Sequence, residues 1–200
     1  MIETELGKLR RSHYSNELNA SMDGTQVTVM GWVLTVRGHG NISFATVRDK
    51  NGDLSIVAKK GDCPDEIREK ISSLKAHSSI GVIGTIKASE KAPSGFEIIP
   101  NELRVFSEVT TIPPFEPTAK TVKNIDTRLE VRPIDLRRDI LQHVFKTRSL
   151  VLKTIRDYFI DQNFVEINTP KMIATATEGG AALFPIFYYN KEAFLAQSPQ

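Results

Sequence analysis

Apolar and polar residues alternate with a period of two between Gln26 and about Ser107, in the segments QVTVMGWVLTVR, NISFATVRD, LSIVAKK, SSIGVIGTIKAS and GFEIIPNELRVF. Alternation of this kind predicts strands that bury one face, and turn signals at Gly38 to Asn41 and at Asp49 to Asp53 separate the first three. Between the third and fourth, PDEIREKISSL places Ile67, Ile71 and Leu74 at i, i+4 and i+7 behind a proline suited to a first helical turn, which predicts one short helix. Three strands, a helix and two strands is the order of a five-stranded OB barrel, whose faces and loops commonly hold oligonucleotides or sugars.

After this barrel the pattern changes twice. Pro113, Pro114 and Pro117 stiffen a stretch that neither periodicity claims, and residues 108–136 read as an extended linker. Beyond Pro133 the period becomes helical. Ile140, Val144, Val151, Ile155 and Phe159 form one stripe, flanked by Leu141, Phe145 and Leu152, in a helix expected to end near Asn163. So wide an apolar face is more than a solitary surface helix needs, so it should pack on a sheet, on another subunit, or on both. FVEINTPKM then reads as a short strand cut at Pro170, which lacks the N–H to continue a ladder.

Composition narrows the classes. The chain has 200 residues, 40% hydrophobic and 25% charged, so disorder is excluded as a general description. With 26 basic against 24 acidic residues, any nucleic-acid binding must come from local clustering rather than net charge. Trp32, Arg37, His39, Phe44, Arg48 and Lys50 supply such a mixture of cations and aromatics. Alternation sends Ile42, Phe44 and Thr46 to one face and Ser43, Ala45 and Val47 to the other, and leaves open which face is the interior. Trp32, beside Gly31, is expected in the core, and Arg48 with Asp49 as a strand-end ion pair. Cys63 is the single cysteine, so no internal disulfide is possible, and without His or Cys at ligand spacing it implies no metal site. The first residues lack the apolar core of a signal peptide and no window approaches a membrane span, so a cytoplasmic protein is expected.

Five stretches together resemble the archaeal-type aspartyl-tRNA synthetases: HYSNEL, VMGWVLTVRGHGNISFATVRDKNG, DTRLEVRPIDLRR, FVEINTPKM and TATEGGAALFPIFYYNKEAFLAQSPQ. The resemblance runs along essentially the whole chain. It implies an OB-fold anticodon-binding domain over residues 1–107, a linker over 108–136, and the N-terminal part of a class II catalytic domain with an antiparallel sheet over 137–200. The long helix and FVEINTP are similar to the family's motif 1, which implies a homodimer with Pro170 at its interface. Phe44 matches an aromatic that stacks on an anticodon base, with Arg37 approaching the same strand. Where the family often has a Gln facing the middle anticodon base, this chain has Ser55. Where members restricted to the aspartate tRNA tend to carry a second Trp after GWV and a Lys two residues before GFE, it has Leu34 and Pro93. Losing both removes groups that would penalise a different base, and a non-discriminating enzyme is expected, charging asparagine tRNA as well as aspartate tRNA.

In the family, TEGG forms a mobile loop over the amino-acid pocket. The resemblance therefore implies that Thr177, Gly179 and Gly180 belong to that loop, that Glu178 receives the substrate's ammonium group, and that Ser198 and Gln200 help to hold L-aspartate. It further implies ATP and Mg2+, an attack of the aspartate carboxylate on the α-phosphate, and transfer of the aminoacyl group to tRNA. No residue of this chain is assigned a catalytic role, because positioning and electrostatics can carry such a reaction and motifs 2 and 3 would follow Gln200. Two other readings remain. An asparaginyl-tRNA synthetase shares the barrel and a similar loop, although LFP and QSPQ favour aspartate. A non-catalytic tRNA-binding module would follow if the chain ended naturally at Gln200.

Overall fold

The computed structural model describes residues 2–3, 5–119, 121–174 and 183–196. The chain divides into two units, Met1–Ile112 and Pro113–Gln200. Thr177, Glu178, Gly179, Gly180, Ser198 and Gln200 lie outside the described residues.

In the first unit, β1 (Ile2–Glu3) is followed by two short 3-10 turns, Ser15–Glu17 and Ala20–Met22. Then come β2 (Gln26–His39), β3 (Ile42–Arg48), β4 (Asp53–Lys59), α1 (Asp65–Ser73), β5 (Ser79–Ala88) and β6 (Phe96–Ser107). β3 runs antiparallel to both β2 and β4, while β5 runs antiparallel to both β2 and β6. A parallel contact at Ile56↔Ile98 joins β4 to β6 and closes the barrel, and β1 adds to the edge of β6. This is the five-stranded barrel that the alternation predicts. The β2–β3 turn needs only Gly40 and Asn41, with Gly40 at φ 57, a conformation glycine adopts without a Cβ penalty.

Strand β2 is long because it serves two neighbours. Gln26–Trp32 pairs with β5, and Trp32–His39 pairs with β3. Gly31 sits near the switch: a Cβ there would meet the Arg48 carbonyl oxygen at 2.3 Å, so only glycine allows this approach. Inside, Val27, Val29, Val33, Ala45, Val47 and Ile56 are buried, and Ile67 and Ile71 of α1 are wholly enclosed, each worth about 2 kcal/mol of hydrophobic stabilisation. Trp32 corrects the expectation of a core residue. It lies in the opposite phase to Val29 and Val33 and is 37% exposed.

The second unit departs further from the sequence pattern. Residues 108–119 and 121–124 are irregular, as the prolines require, but Ile125–Glu130 (α2) and Arg132–Asp135 (α3) are helical rather than extended. Asn124 caps α2 by accepting the Thr127 N–H at 3.0 Å. Asp135, fully buried, gathers Arg128 at 2.9 Å and Arg138 at 3.7 Å, with Arg132 also bonded to it. Burial raises its pKa, but the arginines outweigh that and hold the carboxyl below its usual value. α4 (Asp139–Asp161) is the long helix, closing at Gln162 with Asn163 at φ 66. None of its residues is buried. FVEINTP is not a strand: it is irregular, with Val165 83% exposed, because no neighbouring strand among the described residues pairs with it. The strand begins only after Pro170, as β7 (Met172–Ile173), which joins β8 (Pro185–Tyr188) and β9 (Lys191–Leu195) in an antiparallel sheet of order β7-β9-β8.

Candidate nucleic-acid interface

On β3, Ser43, Ala45 and Val47 are the buried residues, so Phe44, Thr46 and Arg48 face outward. Register extends this face across three strands. Arg37 pairs with Phe44 and Phe44 with Val57; Thr35 pairs with Thr46 and Thr46 with Ser55; Trp32 pairs with Arg48 and Arg48 with Asp53. Arg37 reaches this face through a bulge between Val33 and Thr35. Before the bulge even-numbered residues such as Trp32 point out; after it Thr35, Arg37 and His39 do, since one extra residue exchanges the faces. Leu34 is the residue at that bulge.

The face is floored by β2–β4 and walled by the β5–β6 loop and the start of β6. Its cavity, about 510 Å³, is lined by Arg37, His39, Phe44, Thr46, Ser55, Lys91, Pro93 and Glu97, among others. The loop is set by local bonds: the Ser89 N–H donates to Gly95 O at 2.9 Å, the Gly95 N–H to Ala92 O at 2.9 Å, and the Ser94 hydroxyl to Phe96 O at 3.0 Å. A half-exposed ring, flanking cations, hydroxyls and one carboxylate suit an unpaired nucleotide: ring for stacking, Arg37 and Lys91 for phosphate, and Glu97 as an acceptor for base amino groups. Arg37, Phe44, Ser55 and Pro93 therefore line one cavity. Leu34 does not line the cavity. Lys91 and Glu97 were missed; GFE itself carried Glu97, but a strand pattern does not say which residues of β6 a loop will cover.

A second cavity, about 700 Å³, lies toward the other end of β2, among Arg11, Tyr14, Met30, Trp32, Lys50 and Phe106. The Tyr14 ring carries two cations, Arg11 at 4.5 Å and Lys50 at 4.1 Å from its centroid. Asp49 ties this corner together. It accepts the Ser15 N–H and hydroxyl, both at 2.7 Å, and the N–H groups of Asn51 at 2.7 Å and Gly52 at 3.1 Å. Burial raises the Asp49 pKa, but these hydrogen bonds prevail and leave it below its usual value. Arg48 clasps Asp53, at 2.6 and 2.9 Å, because the two pair in register across β3 and β4.

In the second unit Pro170 is exposed, between the irregular segment and β7. Among the described residues no group of three or more His, Cys, Asp or Glu could hold a metal ion, and no helix is long and apolar enough to cross a membrane.

Comparison with known proteins gives these features a context. Residues 27–106 match the model of the OB-fold nucleic acid binding domain, and residues 124–200 that of tRNA synthetases class II (D, K and N). The chain is 46% identical over 195 residues to a protein of Methanococcus aeolicus, and 47% identical over 193 residues to one of Methanocaldococcus jannaschii, both named aspartate–tRNA(Asp/Asn) ligase. These alignments cover 98% and 96% of this chain, which spans 44% of the length of either relative. Among solved structures it is similar to the asparaginyl-tRNA synthetase of Pyrococcus horikoshii complexed with asparaginyl-adenylate, with a TM-score of 0.85, 29% identity, and 96% of this chain and 43% of the other covered. It is also similar to the aspartyl tRNA synthetase of Entamoeba histolytica, with a TM-score of 0.76, 25% identity, and 97% and 42% covered.

Proposed function

The chain belongs to the class II tRNA synthetases (D, K and N), and from that membership we infer that it supplies the anticodon-reading barrel and the first part of the catalytic domain of an aspartate–tRNA ligase that charges both tRNA(Asp) and tRNA(Asn). The observation that carries the reading is the outer face of the barrel, where Phe44, Arg37, Ser55 and Pro93 line one cavity. In the proposed complex, Phe44 stacks on one anticodon base, Arg37 follows the backbone, and Ser55 faces the middle base. Pro93 stands where a lysine donor would restrict the pocket, and it has neither an N–H nor a charge to give. Leu34 contributes indirectly, through the bulge that sets the phase of Thr35 and Arg37.

In the catalytic part, Glu178 receives the ammonium of L-aspartate in a loop containing Thr177, Gly179 and Gly180, with Ser198 and Gln200 beside it. Carboxylate and ammonium are complementary charges, and such a pair strengthens once a loop excludes water. The family uses ATP and Mg2+, and the described residues offer no carboxylate cluster for the ion. A homodimer is supported by the apolar stripe on α4, which has no buried residue, and by the exposed FVEINTP segment ending at Pro170. The domain division follows: barrel over 1–107, connection over 108–136, catalytic start over 137–200.

Amino-acid-dependent pyrophosphate exchange by the full-length enzyme should proceed with aspartate and not with asparagine. The reverse result would make it an asparaginyl-tRNA synthetase, the rival favoured by the Pyrococcus horikoshii structure. Charging of transcripts of the two tRNAs tests the second half of the reading. A preference above roughly a hundredfold for tRNA(Asp), worth about 2.7 kcal/mol, would reject dual specificity.

A further inference from the structure

The middle row of the outer face contains only hydroxyls. Thr46 pairs in register with Thr35 on one side and Ser55 on the other, and all three line the cavity that contains Phe44. The Thr35 and Thr46 hydroxyl oxygens are 3.2 Å apart and share a hydrogen bond. Two hydroxyls sharing one bond use one proton between them, so whichever donates, the other O–H remains available for a further bond. Ser55 adds a second O–H. Thr46 follows Phe44 by two residues, so its side chain lies roughly 7 Å further along the same face.

We propose that Thr35, Thr46 and Ser55 form a hydroxyl row that reads the Watson–Crick edge of the middle anticodon base, with Thr46 as the principal specificity-determining residue and Thr35 as the residue that orients it. The inference rests on the reading of this face as the anticodon site. Aspartate and asparagine anticodons share U in the middle position and differ in the last. A site serving both tRNAs must therefore read what they share. Uracil presents two carbonyl acceptors flanking an N–H. The two free O–H groups match the acceptors, and the hydroxyl oxygens can take the N–H. Because each hydroxyl can also rotate to accept, the row rejects C less sharply than a carboxamide with fixed donor and acceptor would. A mild penalty at this base is the signature that separates a hydroxyl row from other readers.

The test measures aminoacylation by the full-length enzyme with tRNA(Asp) transcripts carrying U or C at the middle position. Thr46→Val keeps shape and removes the hydroxyl; it should raise KM for the U transcript about tenfold with kcat unchanged, and shrink the U-over-C preference toward unity. Thr46→Ser should restore both, and Thr35→Val should produce a smaller change in the same direction. If Thr46→Val and Ser55→Ala both leave KM and the U-over-C preference within twofold while Phe44→Ala raises KM, the hydroxyl row is wrong and the anticodon face stands. If Phe44→Ala is also without effect, the anticodon reading of the face fails as well.

Discussion

Phe44 is 37% exposed on a strand whose neighbours Ala45 and Val47 are buried. Base stacking on an aromatic ring is worth about 1–3 kcal/mol, so Phe44→Ala should raise KM for tRNA by roughly five- to 150-fold and leave pyrophosphate exchange untouched, because the ring has no part in amino-acid activation. Exchange and charging measured side by side would expose a folding defect, which lowers both. Asp49 governs stability instead. Its carboxyl titrates below the ordinary value of 3.8 in the folded chain, so its contribution is fully present above that value and is lost as the pH falls through the lower folded value. Asp49→Ala should cost about 3 kcal/mol at pH 7, since it leaves the N–H groups of Ser15, Asn51 and Gly52 without their acceptor. Thermal melts at pH 7 and pH 3 should show the gap between wild type and variant narrowing at the lower pH; a gap independent of pH would mean that the ionised carboxylate is not what holds this corner.

At the scale of elements, α4 makes the plainest demand. Ile140, Val144, Val151, Ile155 and Phe159 are 46–61% exposed on one helical stripe. If this stripe is the subunit interface, Val151→Asp in the full-length enzyme should shift the dimer toward monomer in sedimentation and reduce activity, while an aspartate on the polar side, at Lys153, should do neither. The elements also show what was legible in the sequence. The five long strands and α1 appear where alternation and the i, i+4, i+7 spacing put them, because each pattern reflects burial within the barrel itself. Three features were not legible. The interior face of β3 depends on which side its neighbours close, and alternation is symmetric in that respect. Trp32 was misplaced because the phase of β2 is set by Val27, Val29 and Val33, and bulkiness beside a glycine says nothing of phase. FVEINTP has strand composition, but a strand exists only with a partner, which the described residues do not supply. The six residues expected around the amino acid, from Thr177 to Gln200, came from resemblance alone and lie outside the described residues.

At the scale of the whole chain, the described residues of the two units differ in what they bury. Among the described residues the buried aliphatic and aromatic side chains fall between Leu9 and Val105, inside the first unit, whereas the second buries Pro117 and Asp135, the latter with its arginines. The barrel closes through β4 and β6, β1 covers part of the remaining β6 edge, and the hydrophobic core lies within this unit, so a polypeptide ending at Ile112 should fold alone. It should melt cooperatively, near the barrel transition of the longer protein, and bind an anticodon stem-loop in a salt-dependent way that Phe44→Ala weakens. Residues 113–200 alone should behave differently. Without a hydrophobic interior their ordering entropy is not repaid, and α4 should be only partly helical by circular dichroism. Amide exchange on the two polypeptides would decide the matter. Slow exchange in β2–β6 with fast exchange in α4 is the expected result, and equal protection in both would mean that the second unit draws its stability from within, against the burial observed here.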